Sequence, residues 1–380
     1  MLSDAALVRE CAMAYGGGVR PHSTQSLHSV PGRILDELGR SGRGVVILAV
    51  DGLSWRAACE RWRSADLVCL TSTFPSTSAT AWMTAVTGTT VTEHLVVGAV
   101  YRSPAGDALV DVIRGEPLTG QVPAGRCDAL SARPTVFEAA ASRAHPLALG
   151  RELDTLGGSW AAALLRGARR GQMTDPRELA AQAGDPEELV AAVARDVEGA
   201  LVGHRQDRPL LLWIYVNLDD HVHRHGYDPR AMRAVELLER HALSWAGRGW
   251  TVLAHSDHGQ VPCAPDPELE AAWARVEVPA LCRLPGGGAG RVRWLYPRQG
   301  RATEVAERLG TALAGHALVI PADELPGLGL LRLTPAVRER IGGVVAMATS
   351  PRFPAPVRGM AFEHGALSPG EMLVPLATWS

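Results

Sequence analysis

Residues 45–50 read VVILAV, and the pair Asp51-Gly52 follows them directly. Two further short stretches have the same character, LLLWIYV at 210–216 and WTVLA at 250–254, and each also runs into acidic residues or histidine. Apolar runs of this length without polar alternation are typical of strands that are buried on both faces of a parallel sheet. We therefore predict that these three stretches form one sheet.

Helical patterns separate the three strands, at residues 79–86, 186–202 and 229–246. Because strands and helices alternate along the chain, the sequence predicts an α/β fold around a mostly parallel sheet. Ligands of open sheets of this kind bind beyond the carboxyl ends of the strands. The polar residues that follow each apolar run are expected to lie at that edge.

The rest of the chain is arranged around this core. We predict an N-terminal arm at 1–40, a core made of 41–264 and 346–380, and a small inserted cap at 265–345. Inside the cap, the glycine run at 285–290 has neither helix nor strand preference, so we expect a loop there.

The composition excludes several classes of function. The 380 residues contain no lysine, so all 38 basic residues are arginine, and with 40 acidic residues the net charge is -2. Schiff-base and P-loop chemistry need a lysine and are excluded. Without a basic run we expect no nucleic-acid partner, and without an apolar run of about 20 residues we expect no membrane partner. Six cysteines without metal-site spacing, and no signal-peptide pattern, are typical of a cytoplasmic protein.

Residues 219–226 read DDHVHRHG, with three histidines and two carboxylates just after the second strand. Imidazole and carboxylate together suit a divalent metal ion such as zinc or manganese. The alternative is a solvated polar loop that happens to be rich in histidine.

Three shorter motifs could add ligands. Ser256-Asp257-His258-Gly259 follows the third strand, and its glycine would allow the bend that brings neighbouring ligands to one ion. Asp51 ends the first strand, and Glu363-His364 offers a further imidazole near the C-terminus. Each has a plainer interpretation, since Asp-Gly and His-Gly turns commonly end strands and a lone late histidine is usually structural.

Residues 73–78 read TFPSTS and lead into the helical stretch that closes at Thr87-Gly88. The simpler interpretation is that Ser76, Thr77 and Ser78 are candidate N-caps. A hydroxyl at a helix N-terminus also lies at the positive end of the helix dipole, where a phosphate group is stabilised. Beside a metal ion, such a hydroxyl can ionise and act as a nucleophile.

Taken in chain order, these five motifs resemble the alkaline phosphatase superfamily, and within it the bacterial members of the type I phosphodiesterase/nucleotide pyrophosphatase branch. The resemblance covers about residues 45–378. It implies a three-layer α/β/α sandwich of the alkaline-phosphatase type with a small inserted cap. It also implies a two-metal phosphoric ester hydrolase whose cofactors are two divalent ions, zinc or alternatively manganese, and whose partner is a small-molecule phosphate ester.

The resemblance further implies a role for individual residues. One ion would be held by Asp51, Asp257 and His258. The other ion would be held by Asp219, His223 and His364. Counting back ten residues from Gly88, as in the family, makes Ser78 the nucleophile that forms a covalent phospho-enzyme, with Thr77 as the runner-up. His221 and His225 become neighbours of the ligands, with a supporting or substrate-contacting role.

The sequence departs from the family pattern at one point. Family members usually carry an asparagine after the nucleophile helix to bind a phosphate oxygen, but the matching region reads Val97-Gly98-Ala99-Val100 and the only asparagine is Asn217. Backbone NH groups or an arginine such as Arg102 would have to replace it. The resemblance implies cleavage of a phosphodiester or nucleotide pyrophosphate bond, and the missing asparagine leaves a phosphomonoesterase or phosphonate hydrolase on the same site as the alternative. A family member recruited for binding, or for a different biosynthetic reaction, is the alternative from another class.

Overall fold

The computed structural model describes residues 21, 25–104, 108–120, 133–149, 159–171, 184–205, 207–354 and 359–380. Its strands are β1 Gly44–Asp51, β2 Asp66–Thr71, β3 Val100–Ser103, β4 Ala108–Asp111, β5 Glu116–Pro117, β6 His145–Leu149, β7 Arg169–Arg170, β8 Leu210–Asn217, β9 Thr251–Ser256, β10 Val261–Pro262, β11 Ala264–Pro265, β12 Cys282–Ala289, β13 Val292–Pro297, β14 Ala317–Pro321, β15 Val344–Ala348, β16 Arg352–Phe353, β17 Phe362–Glu363 and β18 Leu373–Trp379.

Its α-helices are α1 Val30–Arg40, α2 Trp55–Arg61, α3 Ser78–Thr87, α4 Val91–His94, α5 Val136–Ala140, α6 Ser159–Leu164, α7 Pro186–Val202, α8 Asp219–His225, α9 Pro229–Ala246, α10 Pro267–Val276, α11 Ala302–Ala312, α12 Pro335–Arg340 and α13 Pro369–Met372. None of the helices in these described ranges has the length and apolarity to cross a membrane.

The main sheet has the strand order β2-β18-β9-β1-β8-β6-β7. Strand β1 pairs in parallel with both β8 and β9, whereas β18 runs antiparallel to its two neighbours. All eight residues of β1 are buried, as expected for a strand covered on both faces. The three predicted strands thus lie side by side, and the predicted mostly parallel sheet is confirmed.

Helices cover both faces of this sheet. Alternate residues of β1 beginning at Val45 belong to a core shared with α1, α3 and α5, and those beginning at Val46 belong to a core shared with α2, α7 and α9. The predicted α/β/α sandwich is therefore confirmed, and the predicted helices at 79–86, 186–202 and 229–246 correspond to α3, α7 and α9.

A second sheet, of order β14-β15-β13-β12-β3-β4-β5, packs beside the first core. This sheet contains strands from outside the cap expected at 265–345. Strands β3 to β5 come from residues 100–117, and β15 ends at Ala348, three residues beyond the expected boundary. Helices α10 and α11 cover its other face through a separate apolar core. How residues 1–40, 41–264 and 346–380 divide into domains stays a prediction.

The prediction of a loop at 285–290 is wrong, since residues 282–289 form strand β12. The glycines are there because neighbouring groups leave no room for side chains. A Cβ at Gly287 would lie 2.6 Å from the indole nitrogen of Trp294 and 2.6 Å from the Val100 carbonyl oxygen. Gly288 also has a φ of +128°, a backbone conformation that residues with a side chain rarely adopt. Tertiary crowding therefore overrides the low strand preference of glycine.

Part of the N-terminal arm expected at 1–40 lies outside the described residues, namely 1–20 and 22–24. Within the described remainder, a 3-10 turn at Leu27–Ser29 leads into helix α1, which buries Val30, Ile34 and Leu38 against the main core.

Candidate metal centre

Side chains from three neighbouring strands meet at the carboxyl edge of the main sheet. Strand β1 ends at Asp51, and β9 leads directly into Asp257 and His258. Strand β8 leads into helix α8, which begins at Asp219. His364 follows β17 and comes from the C-terminal part of the chain. The fold thus gathers residues that are more than 300 positions apart.

Asp51, Asp257 and His258 form one group, here called the Asp51 cluster, whose possible ligand atoms lie within 4.8 Å of one another. His258 Nδ1 lies 3.3 Å from the Gly259 carbonyl oxygen and donates to it, which leaves the lone pair on Nε2. Asp257 Oδ1 accepts from the backbone NH of Gly52 at 3.1 Å, but Oδ2 is buried without a hydrogen-bond partner. An unpartnered buried carboxylate oxygen beside an imidazole lone pair fits a metal site.

Asp219, His223 and His364 form the second group, here called the Asp219 cluster, and their possible ligand atoms meet the same 4.8 Å limit. His223 Nδ1 donates to the Phe362 carbonyl at 2.8 Å, and His364 Nδ1 donates to the Ser76 carbonyl at 2.8 Å. Both bonds leave Nε2 as the nitrogen that can bind a metal ion once it is deprotonated, and His223 Nε2 lies 3.1 Å from Asp219 Oδ2. This oxygen and nitrogen donor set suits a divalent ion.

Burial and neighbouring carboxylates disfavour the ionised forms of Asp51 and Asp257. Burial, and then the charges of Asp257 and Asp219, raise the pKa of Asp51 well above its ordinary value. Burial and the Asp219 charge raise the pKa of Asp257 to about 7. Buried carboxylates held this close together need positive charge beside them if they are to stay ionised.

The imidazoles of the site divide into two kinds. Burial lowers the pKa of His258 to about 4, and burial together with His258 lowers the pKa of His364 to about 3, so both rings are neutral near pH 7. These two rings stack with their centroids 3.7 Å apart. Because His258 belongs to the Asp51 cluster and His364 to the Asp219 cluster, the stack places the two clusters side by side. Although burial lowers the pKa of His223, the Asp219 carboxylate raises it to about 10. A proton between these two side chains occupies the place that a cation would take.

Ser78 lies at the first position of helix α3, between the strand ends. Its Oγ is 3.0 Å from His258 Nε2 and donates to Asp51 Oδ1 at 3.4 Å. Thr77 is the N-cap of the same helix, and its buried side chain makes no capping hydrogen bond. Of the two predicted hydroxyls, the one that contacts the Asp51 cluster is Ser78.

Four residues that support the clusters were not predicted. Asp51 Oδ2 accepts hydrogen bonds from Tyr215 and Trp82, Gln260 donates to Asp219, and His223 Nδ1 lies 3.2 Å from Glu363. A usable signal existed for two of them, because Gln260 directly follows the Ser-Asp-His-Gly motif and Glu363 directly precedes His364. Tyr215 and Trp82 sit inside apolar patterns, where aromatic residues are usually core.

Arg102 contacts the second sheet's surroundings. Its Nη1 donates to the Glu339 carbonyl oxygen in helix α12 at 3.0 Å, and its role as a substrate contact stays a prediction. Asn217 does not replace the missing phosphate ligand, because its side chain binds Asp220 at the start of helix α8.

A buried ion pair ties the second sheet to the segment that carries His364. Arg291, between β12 and β13, donates from Nε to Glu371 Oε1 at 3.0 Å, and both side chains are almost completely buried. The backbone NH of Arg291 also donates to the His364 carbonyl at 2.8 Å. Glu371 in turn accepts from the Ala366 NH at 2.9 Å. The position of this candidate ligand therefore depends on the hairpin of the second sheet.

Replacing Arg291 with methionine is expected to lower the free energy of unfolding by about 3–5 kcal/mol, since it leaves a buried carboxylate unpaired. Chemical denaturation followed by circular dichroism measures this. Arg301→Met is the matched control, because Arg301 pairs with Glu304 at the surface, where such a pair contributes about 0–1 kcal/mol. Equal losses in the two variants would contradict the role given to the buried pair.

Comparison with known proteins gives one family. The model of the type I phosphodiesterase / nucleotide pyrophosphatase family matches residues 45–350. No curated protein matches the sequence.

Solved structures give the same fold at low sequence identity. Human ectonucleotide pyrophosphatase / phosphodiesterase 5 aligns with a TM-score of 0.62 and 14% identity, covering 88% of this chain and 87% of that chain. An inactive variant of the murine protein, in complex with AMP, aligns with a TM-score of 0.60 and 14% identity, covering 88% of this chain and 87% of that chain. Phosphonoacetate hydrolase from Sinorhizobium meliloti, in complex with phosphonoacetate, aligns with a TM-score of 0.58 and 17% identity, covering 89% of this chain and 90% of that chain.

Proposed function

Because this chain belongs to the type I phosphodiesterase/nucleotide pyrophosphatase family, we propose that it cleaves a phosphodiester or nucleotide pyrophosphate bond with Ser78 as the nucleophile. Membership of the family makes it a metal-dependent hydrolase of the nucleotide pyrophosphatase and phosphodiesterase type. The observation that carries the finer proposal is the position of Ser78 Oγ, 3.0 Å from His258 and 3.4 Å from Asp51 at the start of helix α3.

We assign one divalent ion to the Asp51 cluster and one to the Asp219 cluster, in keeping with a two-metal family. The mixed carboxylate and imidazole donors favour zinc, with manganese as the alternative. When bound, such ions neutralise the charge of a phosphate ester and lower the pKa of a neighbouring hydroxyl. The unpartnered Asp257 oxygen supports this assignment, as do the Nδ1 hydrogen bonds of His223 and His364, which leave Nε2 as the nitrogen that can bind an ion.

Ser78 performs the first step of the proposed reaction. Its Oγ loses its proton and attacks phosphorus, so that an O–P bond to Ser78 forms while the bond to the leaving oxygen breaks in line with it. The leaving oxygen takes up a proton. Water then attacks the phosphoserine, the O–P bond to Ser78 breaks, and a proton returns to Oγ. Tyr215 and Trp82 keep Asp51 oriented throughout by holding its Oδ2.

A second candidate is a phosphomonoesterase or phosphonate hydrolase on the same residues. It is favoured by the missing asparagine at 97–100, where Gly98 packs against Trp294 and no amide side chain is present. The candidate is also supported by the phosphonoacetate hydrolase of similar fold, which was solved in complex with phosphonoacetate.

A substrate panel with metal control tests the proposal. The purified protein would be assayed with bis-p-nitrophenyl phosphate, a nucleotide sugar, p-nitrophenyl phosphate and phosphonoacetate, before and after chelation and after zinc or manganese is restored. We expect diester or nucleotide sugar turnover that chelation abolishes and metal restores. Preference for the monoester or the phosphonate would establish the second candidate. Inactivity on all four by a protein carrying two ions would indicate recruitment to binding or to another reaction.

A further inference from the structure

The histidine-rich helix α8 carries two imidazoles that the proposed reaction does not use. His221 and His225 are four residues apart, as are Asp219 and His223, so each pair shares one face of the helix. The two pairs are offset by two residues, or about 200° around the helix axis. His221 and His225 therefore lie on the face opposite the Asp219 cluster.

The ring of His221 is already oriented as a ligand would be. Its Nε2 donates to Asp228 Oδ1 at 3.0 Å, and that carboxylate also caps helix α9 through the Ala231 NH at 2.8 Å. The lone pair of His221 therefore lies on Nδ1. The side chain is only 9% exposed, and Nδ1 is buried without a hydrogen-bond partner. A carboxylate on one ring nitrogen and a bare lone pair on the other is the usual arrangement of a metal-binding histidine.

The spacing of the two rings suits a single shared ion. A metal–nitrogen distance of about 2.0–2.1 Å puts the ring centre about 3.2 Å from the ion. Two rings on one ion, at angles between square and tetrahedral, then have centres roughly 4.5–5.2 Å apart. The observed centroid separation is 4.8 Å, with the ring planes inclined by 42°.

We propose that His221 and His225 form a third divalent-cation site for zinc, nickel or copper, separate from the two clusters and independent of the proposed reaction. His225 is exposed and gives the ion access from solvent, and water completes the coordination. With two protein ligands instead of three, the site binds more weakly than the two clusters do. Among these ions, copper binds most tightly, following the general order for nitrogen ligands.

Counting ions tests the proposal. Metal-free protein would be titrated with zinc and the ions bound per chain measured by calorimetry and mass spectrometry. His225→Gln is expected to bind one ion fewer than the unmodified protein, and its melting temperature in the absence of metal is expected to be unchanged because the side chain is exposed. His241→Gln is the matched control, since His241 is a partly exposed helix histidine that stacks on Trp245, and it should bind as many ions as the unmodified protein.

A second measurement identifies the ligands. Copper(II) added to zinc-loaded protein should give an electron paramagnetic resonance signal with two nitrogen donors, and this signal should disappear in His225→Gln. An unchanged ion count in His225→Gln, or a copper signal that survives the substitution, overturns the proposal. If the two-metal assignment failed instead, the unmodified protein and His225→Gln would both bind fewer ions in total. The variant would still bind one ion fewer than the unmodified protein.

Discussion

Ser78→Ala is expected to abolish turnover, with kcat falling on the order of 10³-fold or more, while both divalent ions stay bound. The substitution removes the protein atom proposed to attack phosphorus in the first step, and losses of this size follow removal of a nucleophile. The ligands of the two clusters are untouched, so metal content should not change. Steady-state assays on the preferred substrate, with metal analysis of the same sample, check both halves of the expectation.

Thr77→Val separates the two hydroxyls considered for this role. The Thr77 side chain is buried and makes no capping hydrogen bond, and valine has nearly its shape. Turnover is expected to stay within about tenfold of the unmodified protein, because no reacting atom is lost. Normal turnover in Ser78→Ala, with loss of turnover in Thr77→Val, would transfer the role to Thr77.

Removing the imidazole of His364 should cost the protein one of its two ions. His364→Ala deletes a ligand of the Asp219 cluster and leaves Asp219 and His223 as an incomplete pair. Loss of a residue that only supports a metal ligand reduces affinity or activity about 10–100-fold, so loss of the ligand itself should reduce turnover at least about 100-fold. Mass spectrometry of the desalted protein counts the ions.

His316→Ala provides the control for this experiment. His316 lies just before β14 in the second sheet, where Nδ1 contacts the Ser350 hydroxyl at 3.1 Å, and its removal should leave both ions in place. Circular dichroism of each variant establishes that the fold persists. Two ions per chain in a folded His364→Ala protein would remove His364 from the ligand set.

The main sheet and the grouping of site residues could be predicted because both depend on local sequence. A central strand such as β1 is apolar throughout since it is covered on both faces, and the polar residues after it must lie at the sheet edge. The resemblance to a family then divided five of these polar residues and His364 into two sets of three. The structure brings the possible ligand atoms of each set within 4.8 Å of one another.

The features that could not be predicted depend on contacts between distant segments. Strand β12 has the composition of a loop, and only the approach of Trp294 and Val100 explains its glycines. The pairing of β3 with β12 likewise joins residues almost 190 positions apart. The contact of Arg102 with the Glu339 carbonyl also depends on distant packing, because helix α12 lies more than 230 residues further along the chain; a substrate contact by Arg102 stays a prediction.

The hairpin of β12 and β13 limits how this protein can be re-engineered. Gly290 lies against the Glu363 side chain and the His364 carbonyl, and Arg291 holds both that carbonyl and Glu371. Exchanging the second sheet for that of a relative, as a route to a new substrate range, would therefore also shift a candidate metal ligand. A chimaera that keeps residues 288–293 and their contacts should keep His364 in place, whereas one that replaces them should weaken the proposed binding of an ion at the Asp219 cluster. The second sheet and this candidate ligand are not separable modules in this chain.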